Sequence, residues 1–171
     1  NFPEWAKNQV QDAIDLWAAN FESKVPINVE ATWSRSTSAD ILGSARPDRY
    51  YAKFVGAPDS SLWYPSALAN AIAGKDLDSI NPEIIIQINS EADWDLDGLG
   101  KPTRFEYDLK SVMIHELAHG LGFLSTSAYI MDRTKGQYVG ILEQPTPFDA
   151  YAQTEDGNRL ADLPSRSVEL G

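Results

Sequence analysis

An apolar stripe at helical spacing opens the chain. Ala6, Val10, Ala13, Ile14, Trp17 and Phe21 recur every three or four residues, and Pro3 suits a first turn, so the spacing predicts a long amphipathic helix over 2–21. The period then shortens to two. In "INVEATWS", Ile27, Val29, Ala31 and Trp33 alternate with polar partners, which predicts a half-buried strand. Residues 35–48 read as loop with a short strand around Ile41, and "YYAKFV" (50–55) reads as a second strand. "WYPSALANAIAG" predicts a short helix with Pro65 near its start and Gly74 at its end. Three successive isoleucines make "EIIIQINS" (83–90) a strand, and a polar, glycine-containing loop follows from 91 to 107.

A second long helix starts at Asp108, a good N-cap, and turns Leu109, Val112, Met113, Leu117 and Leu121 towards a core. Gly120 and Gly122 are expected to weaken it and then end it. Beyond Phe123 the pattern is irregular, broken by Gly136, Gly140, Pro145, Pro147, Gly157 and Pro164. Helices and strands mix without a regular βαβ repeat, which gives an α+β class with mixed-sheet α/β as its near alternative. The division expected is an upper unit over 1–122 and the start of an irregular lower subdomain over 123–171.

Composition narrows the function classes. The 171 residues are 43% hydrophobic and 23% charged, as in a folded globular domain. Lys and Arg total 14 against 25 Asp and Glu, a net charge of −11, which argues against nucleic acid or an anionic membrane as partner and favours bound cations. No apolar run approaches the roughly 20 residues that a membrane helix needs. The absence of cysteine excludes disulfides, thiolate zinc ligands and a cysteine nucleophile. A start at Asn1 rather than Met suggests a processed, secreted protein.

Both histidines of the chain lie in "SVMIHELAHGLGFLS", at His115 and His119. At i and i+4 on a helix they share one face about a turn apart, a spacing that lets two neutral nitrogens reach one zinc ion. Glu116 lies about 100° round the helix, placed to work on a metal-activated water as general base and then to protonate a leaving amine. This is the H-E-x-x-H pattern with its mechanism attached. The plainer reading is a pair of helix histidines that only satisfy hydrogen bonds or face solvent.

"HELAHGLGF" resembles the metzincin metallopeptidases, whose motif runs H-E-x-x-H-x-x-G-x-x-H or -D; His115, Glu116, His119 and Gly122 match it. "LWYPSALANAIAG", "YDLKSVMIHELAHGLGFLS" and "PFDAY" together resemble a group of secreted bacterial metzincin-like peptidases. The resemblance implies a mixed twisted sheet with a backing helix and an active-site helix, zinc as cofactor, and a protein or peptide substrate. It also implies that strand 83–90 borders the cleft and pairs with an extended substrate. The motif puts its third ligand at Ser125, and serine is a poor zinc ligand. Neither Met113 nor Met131 is spaced as the family's methionine turn. A third ligand is therefore expected from a downstream segment or a second chain, with Asp149 in "PFDAY" as the rival.

"DWDLDGLG" sets Asp93, Asp95 and Asp97 at alternate positions before Gly98, like the first half of an EF-hand calcium loop. Position twelve of that pattern is Arg104 rather than a bidentate glutamate, and a solvated acidic turn is the alternative. Trp17 and Trp33 fall on core phases, whereas Trp63, Trp94 and Tyr138 are open to a role as cleft walls, and Tyr138 or Tyr151 to oxyanion stabilisation. Two functional readings stand: a zinc endopeptidase, and a calcium-stabilised binding or adhesion module whose H-E-x-x-H site is not competent. A zinc amidase of deformylase type expects a cysteine ligand and finds none.

Overall fold

A computed structural model describes residues 1–170. The first helix, α1, spans Glu4–Ala18, with Pro3 in extended conformation at its N-terminal end. It is shorter at both ends than the 2–21 expected; at the C-terminal end Phe21 continues the spacing in a turn, where its N–H reaches the Trp17 carbonyl at 2.8 Å. Strand β1 covers Val29–Ser34 and β2 covers Gly43–Pro47, so the strand expected near Ile41 begins two residues later. Only Tyr50–Tyr51 of "YYAKFV" is a strand, β3, paired with β4 at Tyr64–Pro65. Lys53, at φ 57°, takes the left-handed region and prevents the strand from continuing.

Helix α2 runs Ser66–Ala73 and closes on Gly74 at φ 65°. Strand β5 is Ile84–Asn89 and helix α3 is Leu109–Leu121, capped by Asp108, whose carboxylate accepts from the Lys110 N–H. The region after Phe123 is more regular than its sequence suggests. It holds a hairpin of β6 (Ala128–Asp132) and β7 (Gln137–Ile141), a short helix α4 (Pro147–Tyr151) and a 3-10 turn at Leu160–Asp162. The hairpin turn is pinned by Asp132, whose carboxylate accepts from the Thr134 and Lys135 N–H groups, and by Gly136 at φ 67°.

The main sheet has the order β1-β5-β2, with β1 parallel and β2 antiparallel to β5. Ile84, Ile86 and Ile88 of β5 point to one face and are buried there with Ala6 and Ala13 of α1 and Leu109, Met113, Leu117 and Leu121 of α3. The architecture is thus mixed α+β, a small mixed sheet with two helices on one face. Gly120 does not merely weaken α3. A Cβ there would lie 2.3 Å from the Ile84 side chain, so glycine is what lets the helix close onto the sheet. Trp17 ties α1 to α3 through its indole N–H, which donates to the Ile114 carbonyl at 3.0 Å. Among the described residues no helix is long and apolar enough to cross a membrane.

Candidate metal centre

Helix α3 carries His115 at its middle and His119 in its last turn. The Nε2 atoms of His115 and His119 lie 2.9 Å apart, with the rings nearly perpendicular at 87°. Two nitrogens held at about 2.0–2.1 Å from one tetrahedral zinc would stand about 3.4 Å apart, so the rings need open by only about half an ångström. His119 is oriented from behind: its Nδ1 lies 2.8 Å from the Phe123 carbonyl oxygen. An Nδ1–H donating there leaves the Nε2 lone pair free for a metal. The chain reaches this position because Gly122, at φ 124°, turns it back after the last helical residue. Phe123 contributes only backbone to this contact, so no side-chain signal in the sequence marks it.

Glu116 lies against Gly43 of β2 and is 7% exposed. Burial pushes its pKa up, and the two neighbouring histidines pull it partway back. A Cβ on Gly43 would stand 3.1 Å from the Glu116 Cγ and 3.3 Å from its Oε1, so this glycine leaves the carboxylate its room. The sequence reading missed Gly43, because its neighbour is 73 positions away. A cleft of about 550 Å³ opens here between the Asp40–Gly43 segment and Ser111, Val112, His115 and Glu116 of α3.

The strand beside this cleft is therefore β2, and the expectation for strand 83–90 is corrected. As β5 it pairs with β1 on one side and β2 on the other, so neither edge is free to take a substrate strand. Strand β2 pairs with β5 alone among the described residues.

Asp149 does not complete the histidine pair. It is fully buried at the start of α4, where it forms a capping box with Thr146. Its Oδ2 accepts from the Thr146 N–H at 2.7 Å and the Thr146 hydroxyl at 2.9 Å. The hydroxyl of Ser125 is engaged with Ser127, donating to the Ser127 hydroxyl at 2.7 Å. Among the described residues, no group of three His, Asp or Glu side chains converges closely enough to hold a metal.

The aromatic expectations divide. Trp94 is core rather than cleft wall: it is buried, its indole N–H donates to the Asn89 carbonyl, and its ring lies against Trp33 and Tyr107. Trp63 is half-buried and its backbone N–H donates to the Pro145 carbonyl, while Tyr138 and Tyr151 are exposed. Of the three alternating aspartates, Asp95 is buried and lies with Asp97 and Glu106, whereas Asp93 is exposed and offers its backbone carbonyl to the Tyr107 N–H.

The chain matches no family model, no curated protein and no solved structure.

Proposed function

We propose that the chain is a zinc-dependent endopeptidase of metzincin type. One observation carries the reading: His119, held through Nδ1 on the Phe123 carbonyl, turns its Nε2 to within 2.9 Å of the His115 Nε2, while Glu116 opens into the adjoining cleft. Zinc, which His115 and His119 would hold, would supply a Lewis acid that makes water nucleophilic near neutral pH and polarises a peptide carbonyl. Glu116 takes the proton of the attacking water on a carboxylate oxygen and delivers it to the nitrogen of the departing amine. The β2 edge and the cleft beside it seat an extended stretch of protein substrate by main-chain pairing.

Two protein nitrogens leave the ion short of the three protein bonds usual in catalytic zinc sites. The third belongs to a further segment or a second chain. Export from the cell forms part of the same reading.

The test is Glu116→Gln in a zinc-loaded sample. Zinc content should stay at the wild-type level, because the carboxylate serves the water rather than the metal. Hydrolysis of an unfolded protein should drop by at least about 10²–10⁴-fold, the range of general acid–base catalysis. Turnover close to wild type would overturn the mechanism.

The lack of a third converging ligand favours a second reading, a calcium-stabilised binding or adhesion module. Hydrolysis of a generic unfolded protein, stopped by a zinc chelator, separates the two. A protein that neither hydrolyses nor retains any zinc supports the binding module.

A further inference from the structure

The loop between β5 and α3 buries oxygens that its own residues do not satisfy. Asp95 is 5% exposed. Its Oδ1 accepts from the Asp97 N–H at 3.2 Å, and its Oδ2 is buried with no hydrogen-bond partner. Gln9 reaches the same loop from α1 and is also 5% exposed. Its Nε2 donates to the Asp95 backbone carbonyl at 3.2 Å, and its Oε1 is buried and unpartnered. The Gln9 amide lies directly over the loop, since a Cβ on Gly98 would come 2.8 Å from the Gln9 Nε2. Each of these two contacting residues, from distant parts of the chain, therefore keeps one buried acceptor oxygen without a donor.

Burying an acceptor without a partner costs free energy, and burying a charged one costs more. The surroundings add to the cost rather than relieving it. Asp97 and Glu106 are the charged neighbours of Asp95, and its proton affinity rises through burial and through both of those charges. Among the described residues no lysine or arginine pairs with any of the three carboxylates. A cation answers both defects together.

We propose that this loop binds a calcium ion on the carboxylates of Asp95 and Asp97 and the side-chain carbonyl of Gln9. The donors are all oxygen, which suits a hard cation better than zinc, and they mix charged and neutral groups, a set that calcium accepts more readily than magnesium. Calcium also fills its shell with backbone carbonyls and water, so three converging carboxylates are not required. Asp93 lies outside the set and Gln9 replaces it, which departs from the EF-hand order of ligands. The ion fastens α1 to the loop that leads through Tyr107 into the cap of α3, and so braces the helix that carries the histidines.

The experiment is thermal unfolding of the zinc-supplemented chain in calcium-depleted buffer, with millimolar calcium chloride or magnesium chloride added, paired with equilibrium dialysis for bound calcium. Calcium should raise Tm by about 5 °C or more as the site saturates, and magnesium should do markedly less. Asp95→Asn should abolish the rise while folding normally, because asparagine keeps the acceptor for the Asp97 N–H and removes the repelling charge. Gln9→Leu should reduce it, and Asp93→Asn and Glu116→Gln should leave it intact. The Glu116→Gln arm makes the outcome independent of the peptidase reading. Absence of both a Tm rise and bound calcium overturns the proposal, as does an undiminished rise in Asp95→Asn.

Discussion

The segments on either side of Gly122 bury their apolar residues to different degrees. Among the described residues, fourteen of the seventeen buried core hydrophobics precede it, and only Val139, Leu142 and Leu170 follow. Yet seven of the fifteen exposed large hydrophobics, among them Tyr129, Met131, Tyr138 and Tyr151, lie in the shorter trailing segment. The front is therefore held by its own sheet and helices. The rear depends on its attachments: Ala150 packs on the small cluster of Leu62, Tyr64 and Ala69, and the Pro145 carbonyl accepts from the Trp63 N–H. The candidate metal centre sits on the seam. Its histidines stand on the rigid front, while the carbonyl that orients His119 belongs to the first residue of the rear.

Gly120→Ala tests the front and should have the largest effect on stability. Its new methyl would meet three atoms of the Ile84 side chain at 2.3–2.9 Å, in the middle of the core. Overpacking of this severity should cost about 3 kcal/mol, a fall in Tm of about 6–12 °C. A melting temperature unchanged from wild type would show that α3 is not so closely seated on β5.

Thr146→Ala tests the internal order of the rear. It removes the cap of α4, one partner of the buried Asp149 and the bond to the Leu124 carbonyl, for about 1–2 kcal/mol. Hydrogen exchange should quicken over 124–152 while the amides of α3 keep their protection. Equal loss of protection in both segments would make them one cooperative unit and erase the contrast.

The smallest change expected is at Gly140→Ala. Its methyl would meet Leu170 as closely as 2.4 Å, a clash like that at Gly120. Here the methyl meets the Leu170 Cβ and backbone carbonyl, so relief requires the turn at 169–170 to shift; no helix or strand holds that turn, and the cost should be about 1 kcal/mol. Thermal melts of the two glycine variants side by side give the comparison directly; a loss at Gly140 as large as that at Gly120 would mean that the rear is packed as firmly as the front.

Much of the front was legible because its signals are local. The stripe from Ala6 to Trp17, the three isoleucines and the Asp108 cap each specify an element from within a few residues. The hairpin at 128–141 was not legible. Its strands are five residues each, with both faces largely exposed in β6, so little alternation marks them. Trp94, left open as a cleft wall, and Asp149, kept as the rival ligand, could not be placed from sequence for one reason. Each carries a side chain suited to a cleft or a metal, and each is instead buried by partners that the sequence does not place beside it.

What the sequence by itself determined is the helix with His115, Glu116 and His119 in register, since a spacing of four residues becomes a shared face through helix geometry alone. Tertiary structure decided everything that depends on distant neighbours. Gly120 meets Ile84, Gly43 makes room for Glu116, and β2 rather than β5 borders the cleft. Gln9 meets Asp95 across 86 positions of chain. Local pattern fixes which way a side chain points within its own element, whereas packing fixes what it meets there, and the chemistry of a site depends on both.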